Sequence, residues 1–197
     1  MNYPNGIKKK KRGVDSYSYS NRGMDLEKEL NVTNKYYRDI DKAYIYKKPT
    51  PIKITKVDYP SRSMAVIKEA YFEEASTTDY NGIYKGMYID FEAKQTESTT
   101  SFPLSNIHKH QIKHIDNIIR HKGICFLIVR FNKLDLTFYL EGEKFIHFIK
   151  STDKKSIPLT FFKENAYIII EKYIPRIDYL KIVDLLYGGN KNGKEKY

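Results

Sequence analysis

The sequence has little of three things that mark common protein classes: cysteine, long apolar runs and acidic charge. Its 197 residues include one cysteine, Cys125, which excludes an intramolecular disulfide and a cysteine-rich zinc module. The longest nearly apolar run, from Gly123 to Val129, is too short to cross a bilayer, and the N-terminus lacks the hydrophobic core of a signal peptide. We therefore expect a cytosolic protein that does not enter a membrane.

Acidic residues are outnumbered, since 24 Asp and Glu face 35 Lys and Arg, and the net charge is +11. This surplus disfavours an ordinary metabolic enzyme and indicates a polyanionic partner, either nucleic acid or anionic lipid. The charge is unevenly placed: residues 1–22 carry +5, the tail from Gly188 carries +2, and residues 42–68 carry +6. The rest of the chain is slightly acidic, so the sequence predicts basic flanks around an acidic body.

The length and a hydrophobic content of 41% suit one domain with a packed core. We predict a disordered basic arm over residues 1–21, a single domain over 22–187 and a disordered tail over 188–197. Because predicted helices are interspersed with predicted strands, the fold class that we expect is α/β, with a layered sheet and helices.

Apolar periodicity and turn residues predict the individual elements of this domain. A helix is expected after Gly23, with Leu26, Leu30, Thr33 and Tyr37 on one face. The dipeptide Asn81-Gly82 predicts a turn, and Ser105 is the predicted N-cap of a long helix. Strands are predicted over 43–46, 52–58, 86–96, 124–131, 134–140 and 166–170, with further helices over 143–150 and 177–187.

The predicted strand over 86–96 carries a polar set and an apolar set on opposite faces. Because side chains alternate along a strand, Ile89, Phe91 and Ala93 point one way. The other face receives Tyr88, Asp90, Glu92 and Lys94. One interpretation of the polar set is an exposed ion pair without function; the other is a reactive site.

A reactive site follows if the chain reverses at Asn81-Gly82, because Asp79 then returns beside Glu92 and Lys94. Two carboxylates at one sheet edge suit a hard divalent cation, and magnesium bound in this way leaves room for a phosphate. The lysine would offset charge on that phosphate or orient the attacking water. The spacing of Asp79, Glu92 and Lys94 therefore predicts a metal-dependent phosphodiesterase.

Histidines offer a rival metal site. His108, His110 and His114 share the predicted long helix, and the last two are spaced to bind one zinc. Surface exposure or contacts to a DNA backbone are the alternatives. Cys125 lies within an apolar strand and is expected to be a core residue.

Several blocks of sequence carry a family resemblance. The long ones are FEEASTTDYNGIY (72–84), YIDFEAK (88–94) and TSFPLSNIH (100–108), and shorter ones include NRGM (21–24), KPTPI (48–52), Tyr59-Pro60 with Arg62-Ser63, and Arg176 with 178–180. From about residue 21 to 187 the chain resembles the RecU family of bacterial Holliday-junction resolvases. The resemblance implies a restriction-endonuclease-like mixed sheet flanked by helices, the PD-(D/E)xK fold, in a homodimer with a protruding stalk.

The same resemblance implies roles for individual residues. Asp79, Glu92 and Lys94 would be catalytic, and Thr77, Asp79, Glu92 and Gln111 would bind Mg²⁺, with Mn²⁺ able to substitute. Glu27 would lie beside the metal without binding it, or be a solvated helix residue. The stalk would fall near residues 53–72, and its candidate DNA contacts are Lys53, Lys56, Tyr59, Arg62 and Lys68.

The function implied by the resemblance is a magnesium-dependent endodeoxyribonuclease. It would make paired symmetric nicks in four-way junctions, leaving 5′-phosphates, during homologous recombination and repair. Branched DNA, a second copy of the chain and the RecA recombinase are the expected partners, in the bacterial cytoplasm at the nucleoid. Two alternatives stay open: a non-catalytic DNA-binding or recombinase-modulating protein on this fold, and a sequence-specific restriction endonuclease.

Overall fold

The computed structural model describes residues 25–72 and 77–188, which contain five α-helices and ten strands. The helices are α1 (Leu26–Asp39), α2 (Lys109–Arg120), α3 (Gly142–Ser151), α4 (Leu159–Asn165) and α5 (Leu180–Tyr187). The strands are β1 (Tyr44–Lys47), β2 (Ile52–Asp58), β3 (Val66–Phe72), β4 (Tyr80–Tyr84), β5 (Met87–Thr96), β6 (Ser101–Pro103), β7 (Ile124–Phe131), β8 (Leu136–Glu141), β9 (Ser156–Pro158) and β10 (Tyr167–Ile168). The predicted arm over 1–21, and all but the first residue of the predicted tail, lie outside the described ranges.

Six strands form one mixed sheet in the order β1-β4-β5-β7-β8-β10. Strands β5 and β7 are parallel neighbours, whereas the other pairs in this sheet are antiparallel. A parallel pair needs a crossover connection, and α2 lies in it. The α/β class and the mixed sheet with helices are confirmed.

The two faces of the sheet bury separate apolar clusters. One cluster joins α1 and α5 to the sheet through residues such as Leu30, Phe91 and Tyr179. The other joins α2 and α3 to the opposite face through Ile115 and Phe145. Strand β7 is buried along its whole length, as its apolar run predicted, because both faces are covered at that point. Cys125 belongs to the second cluster and is buried.

Helix α1 shows the predicted face, since Leu26, Leu30, Thr33 and Tyr37 are all buried. Its first turn follows Asp25, whose Oδ1 accepts a hydrogen bond of 3.4 Å from the Glu27 amide. The helix therefore packs by its apolar stripe, and its N-terminal end lies where the sheet carries polar groups.

The predicted turn at Asn81-Gly82 is wrong. Both residues lie inside β4, and the chain reverses instead at Lys85 and Gly86, which have φ of 50° and 75°. Gly82 is needed for a different reason, because a Cβ there would lie 2.1 Å from the carbonyl oxygen of Tyr44 in β1. The missing side chain thus permits close strand pairing rather than a turn.

The predicted N-cap of the long helix is also wrong. Ser105 lies in a 3₁₀ turn over Leu104–Asn106, and α2 begins four residues later at Lys109. The amide of His108, which precedes the helix, donates to Gln111 Oε1 at 3.0 Å. A glutamine at the third helical position thereby satisfies one of the unpaired amides at the helix start.

Strands β2 and β3 pair with each other as a separate two-stranded hairpin. Side chains from 52 to 71 are all exposed, including apolar ones such as Ile54, Met64 and Ile67. An isolated hairpin is only marginally stable in water, and exposed apolar side chains of this kind are typical of a surface that binds a partner. The hairpin occupies the residues for which the stalk was predicted.

In the described ranges, none of the helices has both the length and the apolar composition that a membrane span requires.

A buried ion network attaches α1 to the sheet. Arg130 of β7 donates to Glu29 Oε2 at 2.6 Å, to Glu171 Oε1 at 2.7 Å and to Thr137 Oγ1 at 2.9 Å. Arg130 and Glu29 are 7% and 2% exposed, so each depends on the other for compensation of its charge. The network therefore holds α1 in place.

Replacing Arg130 should be strongly destabilising. Arg130→Leu leaves the Glu29 carboxylate buried, and among the described residues the partly exposed Arg176 is its remaining ion-pair partner, 3.2 Å away. Breaking a buried pair costs roughly 3 kcal/mol or more. Urea unfolding measures the change. Lys133→Leu, on an exposed turn, is the control and should shift stability by no more than about 0.5 kcal/mol; equal losses in the two variants would contradict a structural role for the network.

Candidate active site

Glu92 and Lys94 form a close pair on one face of β5. The Lys94 Nζ lies 2.5 Å from Glu92 Oε1, and the Glu92 side chain is 0% exposed while that of Lys94 is 24% exposed. The interpretation of these residues as an exposed surface pair is therefore wrong. A buried carboxylate that meets a partly accessible ammonium is instead an arrangement common in reactive sites.

Asp79 joins this pair through the register of β4 and β5. Tyr80 pairs with Phe91, so the residue before β4 comes beside Glu92 and Ala93. The Oδ2 atom of Asp79 accepts a hydrogen bond of 3.0 Å from the Ala93 amide. The structure thus brings Asp79, Glu92 and Lys94 together as predicted, although the reversal that does so is not at Asn81-Gly82.

The electrostatics of Glu92 differ from those of an ordinary glutamate. Burial and the negative charge of Asp79 raise the pKa of Glu92 to about 7, against the opposing effect of Lys94. Its Oε1 accepts a 2.7 Å hydrogen bond from Gln111 Nε2, but its Oε2 is buried and receives no hydrogen bond from any described residue. The carboxyl groups of Asp79 and Glu92 could hydrogen-bond to each other only by sharing a proton. At high pH, where that proton is lost, a cation would be the natural partner of Glu92 Oε2.

Thr77 and Gln111 come to the same place. Gln111 Nε2 also donates to the carbonyl oxygen of Thr77 at 3.2 Å, while its Oε1 is turned to His108. The side-chain nitrogen of Gln111 therefore donates both to the Glu92 carboxylate and to the Thr77 main chain. The Thr77 side chain is exposed and its Oγ1 lies beside the ammonium of Lys48, at 3.1 Å.

The oxygen atoms at this site suit a hard cation better than zinc. Among residues 25–72 and 77–188, no group of three or more His, Cys, Asp and Glu side chains is placed to hold a metal ion. The rings of His108 and His110 stack with centroids 5.4 Å apart, whereas His114 Nε2 lies 3.3 Å from Asp90 Oδ2, so the two histidines spaced for zinc have different neighbours. Magnesium typically uses one or two carboxylates and keeps its waters, and the orphaned Glu92 oxygen beside Asp79 fits that pattern.

Glu27 lines the same open depression as Lys94. This depression lies between the start of α1 and β5, and Asp25 and Asn106 also border it. Glu27 Oε1 pairs with the Lys47 ammonium, and its side chain is about half exposed. Glu27 therefore borders the site on the α1 side and is already engaged with a lysine.

Sequence reasoning missed Lys48 and the role of Asp90. Asp90 is fully buried, and its Oδ2 accepts from Lys48 Nζ at 2.7 Å and from the Tyr88 hydroxyl at 2.9 Å. Thr78 also donates to Asp90. Lys48 belongs to the KPTPI block that carries part of the family resemblance, but nothing in the sequence connects that block to β5.

The predicted DNA contacts are all exposed on the hairpin and not beside Asp79, Glu92 and Lys94. Two of them pair with acidic residues across the hairpin: Lys56 with Glu69 at 3.9 Å and Lys68 with Asp58 at 3.4 Å. Such exposed pairs contribute little to stability, so these lysines stay available to phosphates. Lys53, Tyr59 and Arg62 are exposed as well.

The raised pKa of Glu92 makes a prediction for the metal-free protein. When a carboxyl group has a higher pKa in the folded state than in the unfolded state, ionising it favours unfolding. The stability of the metal-free protein should therefore fall as the pH rises from about 4.5 through about 7. Glu92→Gln removes that loss, so it should stabilise the metal-free protein by about 2 kcal/mol near pH 8 and by much less near pH 5. Thermal unfolding in chelator at both pH values measures this.

The matched control is Glu164→Gln, which removes the same charge from an exposed position on α4. It should show no such dependence on pH. A Glu92→Gln variant that is less stable than the wild-type protein at both pH values would contradict the assigned electrostatics.

Comparison with known proteins agrees with the resemblance. Residues 21–185 match the sequence profile of the RecU family, described as Recombination protein U. The chain is 50% identical to the Holliday junction resolvase RecU of Oceanobacillus iheyensis, over 95% of this chain and 100% of that protein. It is 51% identical to the protein of the same name from Bacillus licheniformis, over 95% of this chain and 98% of that protein.

A third relative, the Holliday junction resolvase RecU of Geobacillus sp. (strain WCH70), is 53% identical over 86% of each chain. Among solved structures, Archaeoglobus fulgidus Hjc, a Holliday junction resolvase, aligns over 66% of this chain and 92% of that chain with a TM-score of 0.37 and 8% identity, which is too low to support a conclusion. The profile match and the close relatives are sufficient without it: the chain belongs to the RecU family.

Proposed function

We propose that this protein is a magnesium-dependent endodeoxyribonuclease that resolves four-way DNA junctions during homologous recombination and repair. The observation that carries the proposal is the cluster of Asp79, Glu92 and Lys94, in which a buried glutamate has one oxygen unpaired and meets a partly accessible lysine 2.5 Å away. The relatives named above are called Holliday junction resolvases, which supports a junction as the substrate.

Each residue of the cluster has a distinct task in phosphodiester hydrolysis. Asp79 and Glu92 would hold Mg²⁺ with the Thr77 hydroxyl, and Mn²⁺ could substitute. When bound, the metal supplies Lewis-acid stabilisation of the phosphate and a lower pKa for the attacking water. Lys94, anchored by Glu92, presents its ammonium to the scissile phosphate and stabilises the charge that develops there.

The family resemblance implied that Gln111 binds the metal, but its Oε1 accepts from the His108 amide. Gln111 would therefore support this chemistry by orienting the ligands. Its amide nitrogen lies 2.7 Å from Glu92 Oε1 and 3.2 Å from the Thr77 carbonyl oxygen. It thereby ties α2 to both sides of the metal-binding pocket and limits the rotation of Glu92. Glu27, at the edge of the depression, would be near the metal without binding it.

Resolution of a junction requires two nicks placed symmetrically. A homodimer with two-fold symmetry supplies two identical sites in that relation, and each would cut one strand to leave a 5′-phosphate and a 3′-hydroxyl. The exposed apolar residues of the β2–β3 hairpin make that hairpin a suitable stalk in such a dimer, inserted near the centre of the junction. We place the enzyme in the bacterial cytoplasm, at the nucleoid, with RecA as a further partner.

A non-catalytic DNA-binding protein is the second candidate. Its weakness is the electrostatics of Glu92: a buried carboxylate with a raised pKa and an unpaired oxygen destabilises the fold, and a protein that only binds DNA gains nothing from it. A sequence-specific restriction endonuclease is the third candidate and would share the cluster. It differs in substrate, since it would cut linear duplex at a defined sequence.

Cleavage of synthetic DNA tests the proposal directly. The wild-type protein should cut a four-way junction in Mg²⁺ and leave a linear duplex of the same arm sequence intact, and chelator should abolish cutting. Lys94→Ala should lower the cleavage rate by roughly 10²–10³-fold, because one electrostatic stabiliser of the transition state is lost. Its affinity for the junction in chelator should stay within about twofold of wild type, since one phosphate contact contributes little to the total.

Lys163→Ala, on the exposed surface of α4, is the matched control and should cut at the wild-type rate. Full activity in Lys94→Ala would refute the assigned site. Cutting of linear duplex at one sequence would favour the restriction enzyme, and metal-independent junction binding without cutting would favour the non-catalytic candidate.

A second test concerns the hairpin. Arg62 is exposed between β2 and β3, and a guanidinium there can contact phosphates or stack on unpaired bases at the branch point. Arg62→Ala should weaken junction binding by about tenfold, equivalent to roughly 1–2 kcal/mol, and duplex binding much less. Gel-shift titrations in chelator at one salt concentration measure both affinities. An equal loss on the two DNAs would mean that Arg62 contributes general charge and not junction recognition.

A further inference from the structure

Lys48 lies directly after β1 and turns its side chain into the site. Its Nζ is 2.7 Å from Asp90 Oδ2, 2.7 Å from Thr78 Oγ1 and 3.1 Å from Thr77 Oγ1. An ammonium group has three N–H donors, and these three oxygens surround it together with His114 Nε2, which is 3.4 Å away. The Lys48 side chain is 15% exposed, so Lys48 is placed to bind neighbouring residues of the protein and not to contact DNA.

Asp90 is the anchor for this lysine. It is 0% exposed and is fixed by hydrogen bonds from Thr78 and from Tyr88, the latter at 2.9 Å. His114 also lies within 3.3 Å of its Oδ2. A buried carboxylate with this many partners is immobile, and it offers a fixed negative charge two residues from Glu92.

Lys48 also binds residues 77–79 through its main chain. Its amide donates to the Asp79 carbonyl oxygen at 2.8 Å. Residues 77–79 precede β4 and belong to no helix or strand, so no ladder of strand hydrogen bonds fixes them. Both the backbone and the side chain of Lys48 therefore secure the segment that carries Thr77 and Asp79.

We propose that Lys48 is a positioning residue: anchored on Asp90, it holds Thr77 and Asp79 where they face Glu92 and thereby sets the metal affinity of the site. The metal-binding consequence rests on the function proposed above. The anchoring itself does not, because it concerns the order of residues 77–79 in the metal-free protein.

Charge and position have opposite consequences, which makes the inference testable. If Lys48 acted only as a positive charge near the metal, its removal would make the site more negative and strengthen cation binding. If Lys48 holds the ligands in place, its removal weakens cation binding despite the gain in negative charge. Loss of an outer residue that orients metal ligands typically lowers affinity or activity by roughly 10–100-fold.

The experiment uses the full chain with two variants and a control. Lys48→Met removes the ammonium and keeps a side chain of similar length. The double variant Lys48→Met with Asp90→Asn also removes the buried carboxylate, so no uncompensated charge is left and folding is preserved. Lys163→Met changes the same charge on α4. Thermal unfolding, hydrogen exchange in chelator, Mn²⁺ binding by electron paramagnetic resonance, and junction binding and cleavage are measured for each.

In the double variant we expect an unfolding temperature close to that of the wild type, but faster amide exchange at residues 77–80. Affinity for Mn²⁺ should fall by roughly 10–100-fold, and the cleavage rate at fixed Mg²⁺ should fall with it. Junction affinity in chelator should be unchanged. Lys163→Met should match the wild type throughout.

Unchanged or tighter Mn²⁺ binding in the Lys48 variants would overturn the inference, as would unchanged exchange at 77–80. A loss of junction affinity in chelator equal to the loss in rate would mean that Lys48 contacts DNA, which also overturns it. If the wild-type protein binds Mn²⁺ but does not cut junctions, the proposed function fails, whereas weaker Mn²⁺ binding and faster exchange in the variants would still support the role of Lys48.

Discussion

The burial of two carboxylates on one face of β5 is the constraint on which the rest of the site depends. Ile89 and Phe91 face the apolar core, so alternation forces Asp90 and Glu92 onto the opposite face of the sheet, where both side chains are 0% exposed. Buried charges require compensation. Lys48 and the Tyr88 hydroxyl compensate the charge of Asp90. Lys94 and Gln111 compensate that of Glu92.

The two carboxylates are compensated to different degrees. Asp90 has hydrogen-bond partners on both oxygens, whereas Glu92 has partners on Oε1 alone and its Oε2 is orphaned. The pKa of Glu92 rises to about 7 as a result of burial and of Asp79. Natural proteins place such locally unfavourable features at functional sites. This difference supports our proposal that Asp90 is a structural anchor and Glu92 the reactive carboxylate.

The hairpin and the candidate active site are connected through Lys48 and Thr77. The chain leaves the site at Lys48, forms β2 and β3, and returns at Thr77, which lies 3.1 Å from the Lys48 ammonium. The segment that carries the predicted DNA contacts is thus closed at its base by the contacts that order Thr77 and Asp79. If the hairpin binds a junction, as we propose, that binding would affect the positions of Thr77 and Asp79.

Local periodicity was sufficient to predict the polar and apolar faces of β5, the buried face of α1 and the fully buried β7, because each depends only on residues within one element. The return of Asp79 to Glu92 and Lys94 was expected from a turn at Asn81-Gly82. That turn is wrong, although the register of β4 and β5 does bring Asp79 beside Glu92 and Ala93. Thr77 and Gln111 followed from the family resemblance and not from any pattern, since a hydroxyl and an amide are unremarkable in a polar loop and on a helix.

The tertiary structure decided the rest. Gly82 lies inside β4 because the close approach of β1 leaves no space for a Cβ, and a local turn propensity carries no information about a neighbouring strand. The contact of Lys48 with Asp90 depends on the order β1-β4-β5 in the sheet. The sequence alone determined which side chains of β5 would share a face; only the packing of distant segments determined which of those charges would be neutralised and which would be left open.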